Sequence, residues 1–125
     1  MINCLHPLYA SKVLLPIIMQ RPYRSALVVT SSFLCEQPYA DVVMHGASKR
    51  FSSFLLQGLH YEHRDQVDCL AWHCGKTATR MLKEDPTAVD VQEVVAGMLR
   101  EIGDSPISTG CLRHTVAAMK LTLAK

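Results

Sequence analysis

Two short, continuously apolar runs, residues 25–31 (SALVVTS) and 66–73 (QVDCLAWH), stand on either side of one long helical stretch at residues 45–63. A strand that is apolar on both faces has to be covered on both faces, which is the condition of a buried parallel sheet. Parallel neighbours are joined by a crossover of about a dozen residues or more, most often a helix. The remaining segments extend this alternation. Residues 4–20 read as a helix that Pro16 kinks or tightens near its end, and residues 21–24 as a turn. Residues 33–43, with Pro38, read as a loop, and residues 77–83 as a short helix. Asp90, or Thr87 before it, is placed to cap a helix that runs to Glu101 and closes with Gly103. A turn at Thr109-Gly110, a short strand at 111–113 and a last amphipathic helix at 114–124 complete the chain. The expected fold class is α/β: a parallel sheet of about three strands with flanking helices.

A chain of 125 residues that is 49% hydrophobic forms one domain with a core, and hardly two. A net charge of +2 and the lack of an Arg/Lys cluster interleaved with rings exclude a nucleic-acid surface. No unbroken apolar run approaches the roughly 18 residues of a membrane-spanning helix, so no transmembrane segment is expected. Five cysteines (4, 35, 69, 74 and 111) form no CxxC pair, and their odd number fits a reducing, intracellular compartment. The first acidic residue is Glu36, while Lys12, Arg21 and Arg24 precede it, and such an acid-free start resembles a mitochondrial targeting segment. The expected setting is therefore mitochondrial first and the endoplasmic reticulum second.

The chemistry-bearing residues gather around the first strand and the long helix. Ser31-Ser32 end the strand, and Ser32 lies thirteen residues before His45 in His45-Gly46-Ala47-Ser48-Lys49. His45 and Lys49, four residues apart, fall on one side of a helix. Asn3 lies in the first helix. Cys74-Gly75 follows the second strand and leads into Thr77-Ala78-Thr79-Arg80-Met81. This order resembles the short-chain dehydrogenase/reductase family, with the hydroxysteroid dehydrogenase and very-long-chain 3-oxoacyl-CoA reductase group as its branch. That family uses Tyr-x-x-x-Lys with a Ser thirteen positions upstream of the Tyr, and here His45 stands where the Tyr would be. Further likenesses are Met1-Ile2-Asn3 with Leu15-Pro16, the Cys74-Gly75 segment with Cys74 in place of Pro, and Thr109-Gly110-Cys111-Leu112.

The resemblance implies a truncated Rossmann-like, doubly wound sheet, with residues 1–125 forming a single partial domain that lacks the nucleotide-binding half. It implies a catalytic tetrad at Ser32, His45, Lys49 and Asn3. Ser32 would steady a substrate carbonyl, Lys49 would hold the nicotinamide ribose, and Asn3 would support a relaying water. Lys49, Gly75 and Thr79 would contact a cofactor if another chain supplied the nucleotide half. Imidazole is shorter than phenol, so His45 fails on reach rather than on proton chemistry.

The six glycines (46, 58, 75, 97, 103 and 110) are isolated, and no Gly-x-x-x-Gly-x-Gly occurs. On this ground no cofactor is expected, with NADP or NAD entering only if a partner completes the site. The leading expectation is a non-catalytic accessory subunit that docks in a larger, mitochondrial respiratory-type complex. The alternative is an NAD(P)H-dependent reductase of 3-oxoacyl-CoA or hydroxysteroid ketones, its cofactor half carried by another chain. Other protein subunits are expected to cover an open sheet edge and the first two helices. The apolar stripe at 47, 51, 54, 55, 58 and 59 marks the core or interface side of the long helix. His60 with His63, and His73 with Cys74, offer two metal ligands each. Two do not make a zinc site, so no metal is expected.

Overall fold

A computed structural model describes residues 2–82 and 84–123. The order of elements is α1 (Ile2–Met19), β1 (Ser25–Ser32), a 3-10 turn (Phe33–Cys35), α2 (Val43–His63), β2 (Val67–Cys74), α3 (Val91–Arg100), β3 (Ile107–Ser108) and α4 (Leu112–Leu123). The three strands form one parallel sheet in the order β1-β2-β3. The register pairs Ser25 with Val67 and continues without a break to Ser32 with Cys74. The expected α/β class with a three-stranded parallel sheet and flanking helices is the observed one.

The two apolar runs have different fates. β2 is central, and Val67, Asp68, Cys69, Leu70 and Ala71 are all buried. β1 pairs only with β2 among the described residues, and only its Ser31 is fully buried. The expectation that both runs are covered on both faces therefore fails for β1, of which only Leu27 and Val29 pack against the α1 and α2 layer. Val67, Cys69 and Ala71 face one layer, where Leu15 of α1 and Leu56 of α2 close the core, flanked by Ile18, Leu27, Val29 and Leu59. The alternate residues Leu70 and Trp72 face the other way, where Gly110 lies between Trp72 and Val94 of α3.

Arg24 ties the entry of β1 to the entry of β2. Its guanidinium donates to both Asp68 carboxylate oxygens and to the carbonyl oxygens of Arg64 and Asp65, at 2.6–3.3 Å. Those bonds raise the Arg24 pKa, with the Asp68 hydrogen bond the main cause.

Several expectations are corrected. Residues 77–83 form no helix among those described: Thr77 makes a parallel bridge with Val89, and turns follow, while Lys83 lies outside the described residues. Thr87 does not cap α3, because its hydroxyl and amide are bonded to Asp85. Asp90 is the cap and accepts from the amides of Gln92 and Glu93. The third strand is at Ile107–Ser108, not 111–113, because α4 already starts at Leu112. Residues 33–35, expected as loop, close a 3-10 turn.

The stripe on α2 is only partly inward. Leu55 and Leu59 pack against the core beside the buried Leu56, while Phe51 and Phe54 are exposed. Gly46, Ser52 and Ser53 are buried as well, and the bonded hydroxyls of the two serines let small polar residues share the inner face.

α1 is 18 residues with a mean hydropathy of 1.3, long and apolar enough to cross a bilayer by those two measures, although Lys12 interrupts it. Here α1 lies against the core through Leu15, Ile18 and Met19, and the rest of it is largely exposed.

Candidate functional site

Ligands of open α/β sheets bind in the crevice outside the carboxyl ends of the strands. In this chain Ser32 and Cys74, the last residues of β1 and β2, open onto a cleft of about 730 Å³. Its wall is mainly apolar, with Phe33, Leu34, Leu82, Val89 and Leu121. Lys76, Arg113 and Lys120 add three cationic side chains, and among the described residues no carboxylate lines it. Lys76 is engaged by Asp85 at 2.8 Å. The volume lies within the range of small-molecule sites, about 300–1,000 Å³.

Gly75 sits in this wall for a steric reason. A Cβ there would come within 1.9 Å of the Phe33 ring, so the ring occupies the space that only glycine leaves. Phe33 in turn meets the His114 ring edge-on, with centroids 5.3 Å apart at 75°. His114 is buried and is held between two carbonyl oxygens, 3.0 Å from that of Lys76 and 3.2 Å from that of Thr109.

The residues of the expected tetrad are not gathered in this cleft. Ser32 lines it, but its hydroxyl accepts from the Leu34 amide at 3.3 Å as the cap of the 3-10 turn. Lys49 lies along β1 in a second cleft, and its Nζ donates to the Thr30 carbonyl at 2.9 Å. Asn3 lines that second cleft too and donates to the Ser48 hydroxyl at 3.1 Å. His45 is exposed at the start of α2 and lines neither cleft. Of the expected cofactor contacts, Gly75 lines the first cleft and Lys49 the second. Thr79 is exposed in the turn after β2, its amide bonded to the Thr77 carbonyl.

Sequence reasoning missed Arg113, His114 and Lys120, which α4 carries to the cleft from far beyond Gly75 in the chain. The local signal was limited to Arg113 and Lys120, two turns apart on one side of the last helix. It missed also a buried polar cluster on the α2 side of the sheet. His73 is 2% exposed, with Nδ1 at 2.6 Å from a Glu36 carboxylate oxygen and Nε2 at 2.7 Å from the Ser53 hydroxyl. Burial lowers the His73 pKa, and the neighbouring Glu36 opposes the shift. The buried Cys35 sulfur lies 3.5 and 3.7 Å from the two ring nitrogens, and burial raises its pKa. The sequence pairing of His73 with Cys74 does not hold. Cys74 lies on the opposite side of β2, where its sulfur approaches the Thr77 hydroxyl at 3.2 Å.

No protein-family model matches the sequence, and no curated protein matches it. Solved structures do. A short-chain dehydrogenase from Burkholderia cenocepacia in complex with NADP is 19% identical with a TM-score of 0.80, over 98% of this chain and 54% of its own. A bulky-bulky ketone specific alcohol dehydrogenase from Comamonas testosteroni is 23% identical with a TM-score of 0.76, over 99% and 49%. A short-chain dehydrogenase from Sphingobium yanoikuyae in complex with NADPH is 21% identical with a TM-score of 0.76, over 98% and 51%.

The chain thus spans about half the length of each of these structures. The expectation of no cofactor is overturned, because two of these similar structures hold NADP or NADPH. The isolated glycines had suggested otherwise because they concern only the stretch of fold that these 125 residues span. The chain has the fold of the short-chain dehydrogenases over about half of their length.

Proposed function

We propose that this chain is a docking unit of short-chain dehydrogenase type, a partial domain whose sheet is completed by a strand supplied from elsewhere along the β1 edge. A nicotinamide dinucleotide binds across the junction so completed, with its pyrophosphate on a loop carried by the completing piece. By itself the unit does not reduce ketones. The observation that carries this reading is that the side chains expected to act are engaged by the chain itself: the Ser32 hydroxyl accepts from the Leu34 amide, and Lys49 Nζ donates to the Thr30 carbonyl.

Three further features support it. An eight-residue strand with an open edge seeks a partner. The outward faces of α1 and α2 carry Tyr9, Val13, Ile17, Phe54 and Tyr61, each more than half exposed, which is the character of an interface rather than of a solvated surface. The cationic rim of the strand-end cleft suits a phosphate-bearing ligand. The acid-free start makes a mitochondrial assembly the proposed setting.

A second reading is favoured by the size and apolar wall of the cleft beside Ser32. On that reading the completed assembly reduces a bulky ketone, of 3-oxoacyl-CoA or steroid type, with His45 as proton donor.

Native purification of the tagged chain, mass spectrometry of what accompanies it, and NADPH titration followed by nucleotide fluorescence test the proposal. The expected result is a co-purifying chain, with NADPH bound at least 100-fold more tightly by the assembly than by the isolated chain. Neither form should oxidise NADPH when ketone is added. A monodisperse monomer that binds NADPH as well as the assembly does would overturn the docking reading. Ketone-dependent oxidation that rises on His45→Tyr would replace it with the second.

A further inference from the structure

We infer that Cys35, Glu36 and His73 form a zinc site, built where the 3-10 turn after β1 meets the end of β2 and separate from the strand-end cleft. The three residues each bring one ligand atom, and these atoms all lie within 4.8 Å of one another. The ligand-to-ligand spacing is 2.6 Å from His73 Nδ1 to Glu36 Oε1, 3.7 Å from Nδ1 to the Cys35 sulfur, and 4.0 Å from that sulfur to Glu36 Oε1. Zinc bonds of about 2.0–2.3 Å in tetrahedral array place ligand atoms roughly 3.2–3.7 Å apart. Two of the three spacings need adjustments of only a few tenths of an ångström. The third, from His73 to Glu36, opens as the ion replaces the hydrogen bond between them.

The surroundings fit a metal ligand set rather than a loose polar pocket. Nε2 of His73 faces the Ser53 hydroxyl at 2.7 Å, and Gln57 donates to that same hydroxyl at 3.0 Å. This fixes the ring with Nδ1 turned toward Glu36, the arrangement in which a second partner on the other nitrogen orients a metal-bound imidazole. Arg50 lies 3.8 Å from the other Glu36 oxygen, so Oε1 is the one left for the ion. One thiolate and one carboxylate balance the two charges of zinc, which offsets part of the cost of burying them. Cys35 gives up its S–H proton to solvent on binding, as metal-ligating thiols do. A thiolate, an imidazole and a carboxylate together select zinc over calcium or magnesium, which take oxygen ligands. Glu36 and His73 also line a cleft of about 370 Å³ beside β3 and α4, which leaves room for a water as fourth ligand.

The test is titration of the full purified chain, stripped of metal, with Co²⁺ and then Zn²⁺. The expected result is one equivalent of Co²⁺ with a thiolate-to-cobalt charge-transfer band that Zn²⁺ displaces. Cys35→Ser should abolish that band, and Glu36→Gln, at a half-exposed position, should weaken binding about 10- to 100-fold. Cys4→Ser and Cys111→Ser should leave the titration unchanged. Circular dichroism of each variant separates loss of a ligand from loss of the fold, and Glu36→Gln keeps the test alive if Cys35→Ser does not fold. No charge-transfer band in the folded chain, or a band that survives Cys35→Ser or is removed by Cys4→Ser, would overturn the inference.

Discussion

Gly97 and Gly58 both interrupt helical stretches, and both would be marked as weak points on propensity alone. Their neighbours separate them. A Cβ at Gly97 would fall 1.7 Å from the Gly110 carbonyl oxygen, whereas one at Gly58 would meet nothing within 4 Å. Gly97→Ala should therefore destabilise the chain by about 1–3 kcal/mol through overpacking against backbone. Gly58→Ala should stabilise it by roughly 0.5–1 kcal/mol through lower backbone entropy. Urea unfolding, with unchanged slopes and shifted midpoints, checks both. Asp85 is set by equally local contacts. Lys76 at 2.8 Å, then the Thr87 hydroxyl and amide, hold its pKa down at about 2, below the usual 3.8. A folded value below the unfolded one adds stability above pH 3.8 that is lost as pH falls toward about 2. Asp85→Asn should flatten the acid limb of the stability curve across that window, and an equally steep limb in the variant would count against this assignment. None of these neighbours is adjacent in sequence to the residue it governs in the Gly97 case, and only Thr87 is close to Asp85.

At the scale of elements, the two strands looked alike in sequence and differ in the fold. β2 has partners on both sides, and β1 has one. In a parallel strand the N–H and C=O of alternate residues point to opposite neighbours, so every second amide of β1 faces away from β2. Hydrogen exchange on the isolated chain should show alternating fast and slow amides along β1, slow ones at Ala71 and Trp72 of β2, where β3 pairs with it, and slowing of the fast β1 set once the sheet is completed. Uniform protection along β1 in the isolated chain would show that its edge is already covered. α2 teaches a related lesson. Its apolar periodicity pointed to Phe51 and Phe54, but the side against the sheet is Ser52, Ser53 and Leu56, with Ser52 bonded to the Lys49 carbonyl and Ser53 to His73. A hydroxyl that finds a partner is as good an inner residue as a methyl group. No periodicity of hydrophobicity can register that.

At the scale of the whole molecule, α1 and α2 cover one face of the sheet and α3 lies on the other, while the outer surfaces of α1 and α2 stay apolar and exposed. That imbalance, with the β1 edge unpaired among the described strands, is the surface that the proposed completion of the sheet would cover. What the sequence by itself determined is the alternation of parallel strands and crossover helices, the cap at Asp90, and the spacing of Ser32, His45 and Lys49. These rest on propensity, capping and periodicity, which act within a few residues. Only the tertiary structure decided which strand is the edge, which face of α2 is inner, and that Ser32 and Lys49 serve different clefts. It alone brought His73 to Cys35 and Glu36, 38 residues away from the former in sequence. Strand order and side-chain burial are set by contacts between distant segments, and such contacts leave no local pattern to read.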